Sequence, residues 1–234
     1  MNSIAVMQPY FFPYIGYFQL INEVDKFVFY DDVNFITRGW INRNKVLING
    51  EESYFTIPCK DASQNKLINE VKHAMTDKKR GKLLRKIKFS YSNAPFFDDI
   101  FPIVENVLQT ESSYIANLAM QSVRQTSSYL NLDATFKVSS EEYNNTDLGK
   151  AERLIDICKQ EKMTTYINPT GGKELYNKEE FQNDGVTLQF IEPSLKEYEQ
   201  FDNDFVPGLS IIDVMMFNAP EKIRDDHLTA YNLV

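Results

Sequence analysis

Cysteine and histidine are scarce in this 234-residue chain, at two each. Cys59 and Cys158 lie far apart with no CxxC spacing, and His73 and His227 stand alone. A disulfide scaffold and a zinc site both lack their residues, so the chain reads as a reduced, cytoplasmic protein with no metal centre. Tryptophan occurs once, at Trp40. No long charge-free apolar run is present, which excludes a membrane-spanning helix. There is no Walker A loop, spaced GxGxxG, HExxH or GxSxG, so those phosphate-binding, metalloprotease and serine-hydrolase signatures are missing. Repeats and low-complexity linkers are absent too. The N-terminal stretch MNSIAVMQPYFFPYIGYF has neither a basic start nor a small-residue cleavage site, and reads as folded structure.

What the chain does have is aromatic residues, 17 Phe and 13 Tyr, and an uneven charge. The net charge is −8, which disfavours general nucleic-acid binding. Residues 78–88 (KKRGKLLRKIK) hold seven bases and no acid, and the remainder of the chain carries −15. A run of this kind is either a solvated helix face or a docking surface for an anionic carrier.

Apolar periodicity outlines an α/β protein. Residues 3–7 predict a buried strand, 14–24 a helix and 26–30 a second strand, the length of a parallel βαβ crossover. KVLI and YFTIPC flank Asn49-Gly50, a hairpin signal. Helices follow at about 77–90, 96–109 and 112–130, then a strand at 134–139, a helix at 149–161 and strands at 164–168 and 186–191. Residues 208–217 are an apolar helix or buried segment. The expected architecture is α/β, a mostly parallel sheet with flanking helices, in one domain over 1–234 with a helical insertion or subdomain at about 75–130.

Four segments could carry chemistry. Gln8 to Tyr17 sits where the first strand ends and the first helix begins, the usual place for a ligand crevice in an open α/β sheet. There Gln8, Tyr10, Tyr14 and Tyr17 could line a site and Gly16 would allow close approach; the plainer reading is an aromatic staple. Asp31 and Asp32 end the second strand and precede Trp40, Asn42, Arg43 and Asn44. A strand-end carboxylate could hold an amine, and Arg43 could clamp a phosphate; the alternative is a capped turn with a solvated arginine. Asn168, Gly171 and Gly172 follow a later strand, and paired glycines can cradle an anion or simply turn the chain. Ser210 and Asp213 read as a buried helix cap.

MQPYFFPYIGYFQLINEVDKFVFYDDVNF, NRNKV, INPTGGKELY and PGLSIIDVMMFN resemble the WbqC-like protein family over essentially the whole chain. That resemblance implies a bacterial enzyme of O-antigen or other surface-polysaccharide biosynthesis, working in the cytoplasm on a sugar nucleotide or its amino-sugar precursor. It marks Gln8, Pro9, Tyr14, Gly16, Tyr17, Asp31, Asp32, Asn42 and Arg43 as motif positions. The layout of the first unit is also similar to the HxGH nucleotidylyltransferases of the HUP class, with Tyr14 and Tyr17 where those enzymes carry histidines. A tyrosine can donate a hydrogen bond but brings no positive charge.

These readings combine into an expected function. The chain is a transferase moving an acyl or aminoacyl group from an anionic carrier onto the amine of a sugar-nucleotide substrate. Asp32 or Asp31 serves as base, Tyr17 and Tyr14 line the pocket, and Arg43 binds phosphate. A nucleotidyl-transferring or ligase enzyme needing ATP or CTP and magnesium is the alternative, and a non-catalytic pathway scaffold is the third. Gln8, Tyr14, Tyr17, Asp32 and Arg43 are expected to face one cavity, and Asp32→Asn to remove activity at near-native stability.

Overall fold

The computed structural model describes residues 2–202 and 204–234. Strand β1 (Ser3–Met7) runs through the loop 8–14 into helix α1 (Ile15–Glu23), and β2 (Lys26–Phe29) returns parallel to β1. This is the βαβ unit that the spacing predicts. Hairpin strands β3 (Arg43–Ile48) and β4 (Glu51–Thr56) meet at Asn49-Gly50, where both residues have positive φ. That geometry is the tight turn whose twist matches the strands it joins. The two-residue strands β5 (Cys59–Lys60) and β6 (Lys72–His73) lead to helices α2 (Asp77–Tyr91), α3 (Phe97–Leu108) and α4 (Ile115–Tyr129).

The chain then re-enters the sheet. β7 (Thr135–Val138), the short α5 (Ser139–Glu142), α6 (Lys150–Gln160), β8 (Thr165–Pro169), α7 (Lys178–Asn183), β9 (Thr187–Pro193), α8 (Ile211–Phe217) and β10 (Tyr231–Leu233) complete the fold. The six-stranded order is β10-β9-β8-β1-β2-β7, parallel except for β10. The protein is therefore α/β with a mostly parallel sheet flanked by helices. Counting only the parallel strands in chain order, the sheet runs 3-2-1-4-5, the order of doubly wound nucleotide-binding sheets.

Both faces of the sheet are covered, because its strands are apolar on both sides. Ala5, Phe27, Phe29, Ile167 and Ile191 pack with α1 and the helical block α2–α4 in one continuous core. Ile4, Val6, Val28, Tyr166 and Leu188 pack with Leu154, Ile157 and Cys158 of α6 and Phe181 of α7 in the other. α8 is tied in by a buried carboxylate: Asp213 accepts hydrogen bonds from Tyr91 (2.7 Å), Tyr198 (2.7 Å) and Gln200 (2.7 Å). Ser210 caps α8 by accepting from the Ile212 amide, as a helix-cap reading of that segment requires.

Candidate functional site

Strand order puts a crevice between β1 and β8. From β1 the chain proceeds outward to β2 and β7, then returns to β8 on the opposite side and continues to β9. Loops leaving the carboxyl ends of β1 and β8 must diverge there, and ligands of open α/β sheets bind in such gaps. A cavity of about 470 Å³ occupies this position. Met7 at the end of β1 and Pro169 at the end of β8 lie on its wall, with Tyr10, Pro13, Tyr14, Gly16, Tyr17, Trp40, Asn44, Leu195 and Gly208. None of these side chains is charged.

The aromatic loop divides its residues between structure and surface. Phe11 and Phe12 are fully buried. Phe12 adopts a positive φ of 40°, a strained conformation for a non-glycine residue. It is pinned on three sides: its amide donates to Ser122 Oγ (2.8 Å), and its carbonyl accepts from Asn44 Nδ2 (2.8 Å) and Ser210 Oγ (2.7 Å). The Phe11 amide bonds the carbonyl of Trp40 (2.9 Å). These ties bring Trp40, far along the chain, onto the same wall as Tyr10 and Tyr14. The staple reading thus holds for Phe11 and Phe12, while Tyr10 and Tyr14 face the cavity.

Tyr17 is a buried wall. Its ring lies 5.6 Å from that of Tyr10 and 5.2 Å from that of Phe27, and its hydroxyl donates to the Gln8 carbonyl (2.9 Å). Burial raises the pKa of Tyr17, Tyr10 and Tyr14, so all three are neutral phenols. Gly16 leaves room for Tyr14. A Cβ at position 16 would stand 2.5 Å from the Tyr14 ring, which folds back over the first turn of α1.

The acidic pair occupies the neighbouring strand end. Asp31 accepts from the Ser140 amide (3.0 Å) and Ser140 Oγ (2.7 Å); burial nevertheless raises its pKa, against these bonds. Asp32 is 7% exposed and forms a buried ion pair through Oδ2 with Arg153 of α6. Arg153 also donates to Asn145 Oδ1 (2.8 Å) and Ser139 Oγ (3.2 Å) and lies over the Tyr30 ring. Asp32 Oδ1 and Gln8 Oε1 are buried without a hydrogen-bond partner. Gln8 and Asp32 follow adjacent parallel strands at one sheet edge.

The structure thus brings Tyr10, Tyr14, Gly16 and Tyr17 together around the cavity. Gln8, Asp31, Asp32, Asn42, Arg43, Asn168, Gly171 and Gly172 are not among its lining residues. The expectation that Gln8, Asp32 and Arg43 share it with Tyr14 and Tyr17 is not met. Arg43 lies on the outer side of β3, where it donates to the carbonyls of Gly39 (3.2 Å) and Arg38 and covers the Tyr54 ring. The physical cause is strand alternation: Asn44 turns inward to the loop, so Arg43 must turn out. Asn42 donates to the Ile57 carbonyl (2.9 Å) and closes the hairpin. Gly171 and Gly172 sit in a 3-10 turn, and neither has the positive φ of an anion cradle. Gly172 instead leaves room for the Asn168 side chain, whose Nδ2 would lie 1.9 Å from an added Cβ.

Two contributors lie outside the sequence-level reading. Leu195 comes from the irregular segment after β9 and carries no local signal. Arg153 did carry one: it falls one turn before Ile157 on the apolar stripe of α6, where an arginine requires a buried partner. Among the described residues no group of acidic, histidine or cysteine side chains could hold a metal ion. No described helix is long and apolar enough to cross a membrane.

Comparison with known proteins places the chain in a group. The WbqC-like protein family matches residues 8–225. The uncharacterized protein Rv1507c of Mycobacterium tuberculosis is 28% identical over 231 residues, covering 96% of this chain and 98% of that protein. No solved structure matches. With the family matching nearly the whole length, and the aromatic loop, the acidic pair and the hairpin all inside the matched span, the chain belongs to the WbqC-like protein family.

Proposed function

We propose that the protein is a transferase of bacterial surface-polysaccharide biosynthesis. In this reading it binds a nucleotide-linked amino sugar and receives an acyl or aminoacyl group from an anionic carrier. The observation that carries the reading is the uncharged cavity at the switch point, walled by Tyr10, Tyr14, Tyr17 and Trp40. Such walls suit the flat face of a nucleobase or the apolar face of a sugar ring. The start of α1 opens onto it, and a helix N-terminus favours phosphate oxygens. Asp32 is the proposed base. It lies at the neighbouring strand end, outside the cavity lining; with Oδ2 committed to Arg153, the buried, unpartnered Oδ1 is the oxygen that would take the proton, and the amine would have to reach it beyond the cavity wall. The motif residues outside the cavity act as its supports: Asn42 and Arg43 hold the hairpin and Asn168 the β8 end.

A second reading is favoured by the strand order together with Tyr14-x-Gly16-Tyr17 at the start of α1. It is nucleotidyl transfer or ligation using ATP or CTP with magnesium. A thermal-shift series separates the two. A ligand at a hundred times its dissociation constant stabilises by roughly 2.7 kcal/mol, about 5–11 °C for a chain of this size. Sugar nucleotides should produce that shift without ATP, and Tyr14→Ala should abolish it. A shift with ATP and magnesium alone would move the assignment to the second reading. No shift with either class overturns both and leaves a binding protein of other specificity.

A further inference from the structure

The basic helix builds a second surface, remote in sequence from the aromatic loop. α2 is fifteen residues long, and only Ile87 and Tyr91 are fully buried. Its other side faces β4 across a groove of about 650 Å³. Leu83 lies on the floor, Tyr54 on the far wall, and Phe89 at one end. Phe89 is 72% exposed and Tyr54, one face of which carries Arg43, is 44% exposed, so an apolar strip on both sides of the groove is open to solvent.

Charge surrounds this strip. Lys82 and Arg85 form no ion pair among the described residues, and no acid lines the groove. The Lys86 amine is tied to Ser53 Oγ (3.0 Å) and the Tyr54 carbonyl (2.6 Å), which fixes the distance between helix and hairpin. Burial first, and then the adjacent Lys82, lower the Lys86 pKa. From Lys79 to Phe89 the helix offers ten residues of rise, about 15 Å, or three turns of another helix.

We propose that this groove docks an acidic amphipathic helix of a partner protein, its apolar stripe on Leu83, Tyr54 and Phe89 and its carboxylates against Lys82, Arg85 and Lys86. Two features select this occupant. The cavity is concave and mostly apolar, so a flat anionic bilayer would reach Phe89 but leave the floor empty. The groove is rimmed by Lys79, Lys82, Arg85 and Lys86 with no acid among its lining, so an occupant carrying carboxylates beside its apolar stripe is the complementary one. The inference rests on the proposed function only in equating the partner with the donor carrier.

The test uses the full chain and a fluorescein-labelled, helix-stapled peptide of about 12–16 residues, with three leucines on one face and glutamates flanking them. Fluorescence anisotropy should show saturable binding that weakens with salt. Phe89→Ser, and separately the pair Lys82→Glu with Arg85→Glu, should each weaken it about tenfold or more at unchanged melting temperature. A peptide with lysine in place of glutamate should not bind. Absence of binding overturns the proposal, as does binding that these variants leave intact. Tighter association with phosphatidylglycerol-containing vesicles than with the peptide also overturns it, in favour of a membrane surface. None of these outcomes depends on whether sugar nucleotides bind the cavity.

Discussion

Replacing Gly16 by alanine tests whether the helix start and the cavity wall are mechanically coupled through Tyr14. The new methyl would lie 2.5 Å from Cε2, Cζ and Oη of the Tyr14 ring. Ordinary carbon contacts settle near 3.5–4.0 Å, so the ring must move by about 1–1.5 Å. Forcing a ring off its rotamer costs about 0.5–1.5 kcal/mol, and crowding a packed site about 1–3 kcal/mol. Against this, alanine is favoured over glycine in a helix by up to about 1 kcal/mol. Gly16 has no positive φ, so the backbone itself does not resist the change. The rotamer cost is part of the crowding cost, so the net expectation is a loss of up to about 3 kcal/mol, or at most roughly 6–12 °C in Tm. In a Tyr14→Ala background the obstacle is gone, and Gly16→Ala should raise Tm instead. Four proteins and thermal denaturation complete the cycle, with an expected coupling of about 1–3 kcal/mol. An equal effect of Gly16→Ala in both backgrounds would refute the ring-over-helix account. In the same series sugar-nucleotide affinity should fall for each single variant, because each alters one wall.

Two further outcomes follow from buried charge. Asp32→Ala leaves Arg153 without its carboxylate in a site where both side chains are nearly inaccessible, so it should cost about 3–5 kcal/mol in chemical denaturation; the ion pair therefore replaces the near-native stability expected of Asp32→Asn with a measurable loss, and a variant of full stability would refute the pair. His227 packs edge-on to Tyr198, and its pKa is lowered by burial first and then by Lys222 and Lys196, against the opposing pull of Asp226. A lowered folded pKa means stability present above the unfolded value of about 6.5 and lost as pH falls through the folded value. Tm should drop as pH is lowered below about 6.5, and His227→Phe should flatten that drop; an identical pH profile in the variant would exclude this histidine. Asp213, whose pKa burial raises, acts in the opposite sense: its contribution grows as pH falls through the carboxylate range.

Local pattern was enough for the β1-α1-β2 unit, the Asn49-Gly50 hairpin, the three central helices and the parallel core strands, because each is written in a period or a turn pair within a few residues. β10 was not legible: Tyr231–Leu233 is three residues long, half polar in setting, and becomes a strand only because the β9 edge is there to pair with it. The site divides in the same way. Tyr10, Tyr14, Gly16 and Tyr17 are adjacent in sequence and leave one strand end, so their meeting around a crevice follows from the βαβ geometry. Trp40 and Asn44 reach that wall only through tertiary hydrogen bonds to the aromatic loop, the Phe11 amide to the Trp40 carbonyl and the Asn44 side-chain amide to the Phe12 carbonyl. Arg43, one position away, faces outward on Tyr54, since a single step along a strand reverses a side chain. Asp32 received its partner from α6, 121 residues later. A strand-end carboxylate looks the same in sequence whether it faces solvent, substrate or an arginine. Only the packing of α6 against the sheet decided that one oxygen of Asp32 is paired with Arg153 and the other buried without a partner.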